Sequence, residues 1–175
     1  MKITAFAASS SRQSINKALV TYACSLLADV EVQVLDINDY EIPLFSVDRE
    51  AELGQPQLAA DFLARIAEAD ALVVSFAEHN GSYSAAFKNL FDWCSRIEKR
   101  VWQNKPMVLL STSPGARGGA SVLEMAKVSA PHFEGEVKAT LAVPQFHDNF
   151  DLETAQMTNE QVKQSLQEAM ASLVS

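Results

Sequence analysis

The chain has 175 residues, 48% of them hydrophobic and 21% charged, with a formal net charge of −8. That describes one globular domain, residues 1–175, able to bury roughly 70% of its unfolded surface without a disulfide or metal staple. The acidic balance argues against nucleic acid as a partner, since such binding is led by Lys and Arg contacts to phosphate, and no stretch reaches the roughly 20 apolar residues of a membrane span.

Residues 2–8 read as a first strand. Residues 14–28 carry Ile15, Leu19, Tyr22, Ala23, Leu26 and Leu27 at helical spacing. Residues 30–35 are apolar and β-branched, a second strand. Residues 37–54, with Pro43 and mixed charges, read as a long irregular connection of the kind that shapes a site. Helical spacing returns over 56–69, with Pro56 near the first turn. The run ALVVSFA at 71–77 is nearly continuous apolar sequence, as in a strand buried on both faces. A long helix over 85–102, a strand over 106–111, a short helix over 121–130 and a strand over 137–143 follow. A last helix over 158–173 opens with Thr158 and Gln161 at capping-box spacing. This alternation predicts an α/β fold, a parallel five-stranded sheet with helices on both faces. The apolar start of the chain is too short for a secretory signal, so a soluble, cytoplasmic protein is expected. Cys24 and Cys94 fall in apolar helical patterns and read as buried free thiols.

In such sheets ligands bind beyond the carboxyl ends of the strands, where strand order reverses. Three unusual loops follow strands one, three and four, and so share that edge. The first, Ser9-Ser10-Ser11-Arg12-Gln13-Ser14-Ile15-Asn16, is rich in donors and opens a helix. Ser9, Ser11, Arg12, Ser14 and Asn16, with the free amides of the helix start, form a candidate phosphate cradle. The second, Glu78-His79-Asn80-Gly81-Ser82-Tyr83, holds an Asn-Gly turn signal. Behind it, Lys88 and Asp92 have the spacing of a surface ion pair. The third, running from Ser111 to Gly119, places Ser113, Pro114, Gly115, Gly118 and Gly119 where the main chain can approach a flat ligand.

Other chemistries lack their signatures. There is no Walker GxxxxGK[ST] and no GxGxxG, so Asp36 reads as an ordinary strand-end residue. Neither cysteine lies in the first loop, as a cysteine phosphatase would need. A receiver domain would want aspartates where strands one and three end. His79, His132 and His147 have no metal-ligand spacing, and no GxSxG elbow occurs.

The three loops, together with Phe87-Lys88-Asn89, resemble the NAD(P)H-dependent FMN reductases, flavodoxin-like proteins that include quinone, chromate and azo reductases. The second motif, usually PEYNGS in the family, is the most specific. Ala8 stands here for the family's glycine, Ala77 for its proline and His79 for its tyrosine. The resemblance implies the flavodoxin-like strand order 2-1-3-4-5 and FMN as cofactor. By that resemblance Ser9, Ser11, Arg12, Ser14, Ile15 and Asn16 hold the phosphate. Glu78, His79, Asn80 and Gly81 line the ring and ribityl chain, and residues 113–119 pass along the other edge. It further implies a ping-pong reaction with NADPH or NADH as co-substrate and a small-molecule electron acceptor, no catalytic side chain, no metal, and a homodimer or homotetramer. A flavodoxin-type electron carrier and a flavin-free relative are the alternatives.

Overall fold

A computed structural model describes residues 1–174. Strands β1 (Lys2–Ala8), β2 (Glu31–Leu35), β3 (Ala71–Phe76), β4 (Lys105–Thr112) and β5 (Gly135–Val143) form one parallel sheet in the order β2-β1-β3-β4-β5. Helix α1 (Ile15–Ser25) leads from β1 to β2. Between β2 and β3 lie α2 (Val47–Leu53) and α3 (Gln57–Ala67). Then α4 (Ala85–Ile97) joins β3 to β4, and α5 (Ala120–Ser129) joins β4 to β5. A short α6 (Phe146–Asn149) and a two-stranded hairpin, β6 (Phe150–Asp151) with β7 (Gln156–Met157), precede α7 (Glu160–Ala171).

Side chains alternate across the pleat, so each strand feeds two cores. Ile3, Ala5, Val73, Val108 and Leu110 pack under Leu19 and Val20 of α1 and Leu166 and Met170 of α7. Phe6, Leu72, Val74, Met107 and Leu109 pack under α3, α4 and α5, through Phe62, Leu90, Trp93 and Val122. All six residues of β3 are buried, which accounts for its unbroken apolar sequence.

The register places Ala8 beside Phe76, and Phe76 beside Ser111. The first, second and third loops therefore leave the sheet side by side. Chain order reverses at β1, which lies between β2 and β3, so the crevice of the fold opens between the first and second loops.

Several element bounds differ from the sequence expectation, each for a visible reason. Residues 47–53 form a helix, α2, capped by the Ser46 hydroxyl on Arg49 N. It buries no residue, so it has no apolar stripe for periodicity to detect. Helix α4 stops at Ile97, because Glu98 turns extended and Trp102 is drawn into the core, its amide bonded to Phe133 O. The cap of α7 is Asn159 rather than Thr158: its side-chain oxygen accepts from Gln161 N and Val162 N. Asp36 is more than a strand-end residue. It caps the 3-10 turn Ile37–Tyr40 and pairs with Lys17 at 2.7 Å, and that ammonium holds its carboxyl below the usual range. Lys88 and Asp92 form the surface pair expected of them.

The connection after β2 is tied to α4. Asn89 Nδ2 donates to the carbonyls of Ile42 and Pro43, each at 3.1 Å, and its Oδ1 accepts from Phe45 N at 2.8 Å. Trp93 Nε1 donates to Pro43 O at 2.7 Å. Asn89→Ala removes three of these bonds and should cost about 1–3 kcal/mol in denaturant unfolding, with faster proteolysis within residues 41–46.

Cys24 and Cys94 are buried and free, and desolvation pushes both thiols up to about 12. The thiolate is the reactive form. Iodoacetamide at pH 8 should therefore leave both unlabelled in the native protein and label both after unfolding, as mass spectrometry would record.

Candidate functional site

The first loop shows how a run of serines becomes a donor array. Ser9 Oγ accepts from Ser11 N at 3.3 Å, Ser11 Oγ from Gln13 N at 3.3 Å, and Ser14 Oγ from Lys17 N at 3.2 Å. A hydroxyl has one donor and two lone pairs. Each oxygen spends a lone pair on the loop's own backbone, which fixes the loop and leaves its O–H to donate elsewhere. Ser14 is the N-cap of α1, so the amides of Ile15 and Asn16 have no helical partner and add the positive end of the helix. Arg12 is exposed and makes no ion pair among the described residues.

Asn16 plays a different part from the one expected of it. It is 3% exposed, and both ends of its amide are engaged inside the protein. Nδ2 donates to Thr112 O at 3.3 Å; Oδ1 accepts from Thr112 N at 3.1 Å and from Ser75 Oγ at 2.8 Å. Its side chain thus locks the start of α1 to β3 and β4, and only its main chain is left for a ligand.

The second loop is a tight hairpin. His79 and Ser82 exchange two backbone hydrogen bonds, of 3.0 and 3.1 Å, around Asn80 and Gly81 at φ 51° and 77°. Positive φ at both central positions makes this a type I′ turn, which the Asn-Gly pair favours. Ser84 caps α4 and donates to Ala8 O at 3.0 Å, holding this loop against the end of β1. Glu78 reaches away from the turn. Its carboxylate accepts from Val122 N, in the first turn of α5, at 2.9 Å. The N-cap position of α5 is Gly119, which has no side chain to cap the helix, so Glu78 supplies the cap from another loop.

In the third loop Gly118 and Gly119 serve packing. A Cβ on Gly118 would meet the Val143 carbonyl carbon at 2.6 Å, and one on Gly119 would meet Ser111 Cβ at 3.1 Å. Both are buried, and Ser111 Oγ donates to Gly118 O at 2.7 Å.

The crevice between the loops has a volume of about 370 Å³. Ser9, Ser11, Ser14, Ile15, Asn16, Glu78, His79, Ser113 and Pro114 line it, as the sequence suggested. Arg12, Asn80, Gly81, Gly115, Gly118 and Gly119 do not, while Ser10, Gln13, Ala77 and Thr112 are additional lining residues. Adjacency to the motif positions was the available signal for all four. A smaller cavity of about 160 Å³, walled by Phe76, Tyr83, Phe87, Phe91, Trp102 and Phe133, shares no residue with the crevice. The donors converge on the crevice and not on that aromatic cavity.

A serine-rich loop of hydrogen-bond donors at the strand ends of a 2-1-3-4-5 sheet, opening on a slot beside the second loop, is the architecture of a flavodoxin-like protein. Residues 1–148 match the family described as NADPH-dependent FMN reductase, and the chain belongs to that family. It is 29% identical to an NADPH:quinone oxidoreductase of Arabidopsis thaliana, over 99% of this chain and 90% of the relative. It is 36% identical to a 2-hydroxy-1,4-benzoquinone reductase of Burkholderia sp, over 69% of this chain and 64% of that one. The solved flavoenzyme FerB of Paracoccus denitrificans, an NAD(P)H:(acceptor) oxidoreductase, superposes with a TM-score of 0.81 at 25% identity, over 99% of this chain and 94% of FerB. The chain is a flavin-dependent NAD(P)H oxidoreductase with FMN as its cofactor, which decides against the electron-carrier and flavin-free alternatives.

Glu78→Ala should lower stability by about 1 kcal/mol through loss of the α5 cap. Glu78→Gln, which keeps an acceptor oxygen, should retain most of it; denaturant midpoints of the two variants make the comparison.

Proposed function

We propose that the first loop holds the FMN phosphate through the hydroxyls of Ser9, Ser11 and Ser14 and the amides of Ile15 and Asn16. The flavin would lie between residues 77–79 and residues 112–114. The observation that carries this reading is the orientation of the serines: their oxygens already accept backbone N–H groups, so the donors a phosphate needs are the ones left over. Bonds from neutral donors and helix amides to a charged acceptor are among the stronger hydrogen bonds. Arg12 stands at the edge of the cradle as a counter-charge.

When bound, FMN supplies the two-electron chemistry, accepting hydride from NADPH or NADH and passing it to an acceptor. The residues of this chain position and enclose. Glu78 is committed to α5 and the His79 main chain to its turn. The amide of Thr112 is likewise taken, by Asn16. Ser10 borders both the crevice and a recess of about 350 Å³ walled by Tyr40, Ile42, Leu44, Ala85 and Ala86. Asn38, Glu41 and Asn89 also line it, and this mixed wall suits the entry of a quinone, an apolar ring with polar carbonyls and the acceptor class for which the Arabidopsis and Burkholderia relatives are named. Asn89, which fixes residues 42–45, shapes this wall.

Pairing with a second copy of the chain is part of the proposal. Met125 and Val128 are 40% and 60% exposed on α5, and Ser82 Oγ touches Met125 Sδ beside the second loop. A cytoplasmic setting is supported by two cysteines that stay unpaired.

Ser14→Asp tests the phosphate reading cleanly. Aspartate caps a helix as well as serine does, so α1 is preserved while a negative charge faces the phosphate. The variant should fold with an unchanged midpoint and lose FMN, seen as a colourless protein with at least a hundredfold weaker binding. Full flavin occupancy in Ser14→Asp would overturn the assignment.

A further inference from the structure

We infer that the aromatic cavity behind the second loop is a binding site for a single-ring phenol. It is separate from the crevice and does not depend on how the crevice holds FMN.

The cavity lies between α4 and α5, over β3 and β4, and its volume is about 160 Å³. A cavity of roughly 150 Å³ lined by apolar side chains takes one benzene ring and stays dry without it. The space therefore matches one ring and is too small for a flavin or a nicotinamide nucleotide.

The wall is a chain of rings. Phe76 meets Phe87 at 5.5 Å between centroids, and Phe87 meets Phe91 at 5.8 Å. Phe91 in turn meets Trp102 at 5.4 Å and Phe133 at 4.7 Å. These pairs cross at angles from 44° to 89°, so no ring lies flat on the next. Edges and faces are both open to a guest ring, the two aspects that aromatic pairs use. Met107, on β4, adds a thioether, which also packs well against an aromatic ring.

The opposite wall explains why the space stays open. Ala126, Ser129 and Ala130 face it from α5 and its C-cap, at the spacing of one helix face, and all three are small. A leucine at position 126 would fill much of the void. An empty void of this size is costly in a core, and a bound ring would offset that cost.

The rim decides the kind of ring. Lys88, which is exposed, and Asp92, Ser95 and Ser129, which are half-buried, line the side that reaches solvent. Lys88 and Asp92 are paired at 2.6 Å, so the rim carries no net charge and suits a neutral guest. Ser95 Oγ donates to Asp92 O at 2.8 Å and keeps its lone pairs. An acceptor at the edge of an apolar space fits a ring with one hydroxyl, the ring inward and the O–H outward.

Phenol itself is the probe, titrated into the FMN-loaded full chain carrying carbon-13-labelled methionine methyls. The expected result is saturable binding with Kd on the order of 1 mM or tighter, within reach of a ligand of about seven non-hydrogen atoms. Nuclear Overhauser contacts should join the phenol ring to the Met107 methyl, assigned with Met107→Leu. Ala126→Leu should weaken phenol tenfold or more and leave the bound-flavin spectrum unchanged, since Ala126 lines the cavity and not the crevice. Absence of saturable binding overturns the site, as does a phenol affinity that ignores the leucine in a folded variant. Phenol that shifts the flavin spectrum without touching Met107 sits in the crevice and overturns the site equally. Where circular dichroism shows Ala126→Leu to be unfolded, the Met107 contact in the unmodified chain decides.

Discussion

The site depends on one buried amide. Asn16 sits at the start of α1, yet its side chain reaches across the sheet to bond Ser75 in β3 and both main-chain groups of Thr112 in β4. Those bonds set how far the first loop stands from the third, and therefore the width of the slot. A buried amide left unmatched would be costly, so the arrangement holds only when all three elements are in register. The parallel ladder supplies that register by placing Ala8, Phe76 and Ser111 in one row. The cradle is thus a consequence of tertiary structure, even though its residues are consecutive in sequence.

Hydroxyl and carboxylate groups divide the labour at this edge. Serine can accept and donate at once, so the same three residues stiffen the loop and still offer donors. A carboxylate can only accept, and Glu78 uses that capacity on α5, a helix whose own first residue cannot cap it. The acidic group most conspicuous in the second motif is therefore occupied in joining two loops. A negative charge so placed also stays near a helix N-terminus, where it is stabilised by the helix dipole.

Much of this could be read from the sequence. The five strands, the Asn-Gly turn, the serine-rich loop and the buried thiols were legible because each is written in local composition or period; the strand order came through the family resemblance. What escaped was written elsewhere. Helix α2 has no apolar stripe, so periodicity had nothing to detect. The role of Asn16 lies in partners 59 and 96 residues away. At Gly118 the close approach is made by the backbone at Val143 and Pro144, which lies outside the local sequence. A glycine announces a close approach without naming what approaches. Asn159 outcompeted Thr158 as a cap because its side-chain oxygen reaches two amides at once.

The connection after β2 is held by core-facing groups in its first part and by surface contacts to Arg96 in its second. Asn89 and Trp93 grip it through Pro43 and Phe45, and beyond Ser46 it becomes a helix that buries nothing. Leu44, Val47 and Leu53 are left in solvent there, with the Glu50–Arg96 pair as a surface contact back to α4. A segment so loosely invested in the core can change its side chains at little cost to folding. Beside a loop in which the Ser9, Ser11 and Ser14 oxygens each accept a backbone N–H, it is the part of the molecule free to drift, and the rim of the recess at Ser10 can be rewritten there without disturbing those bonds.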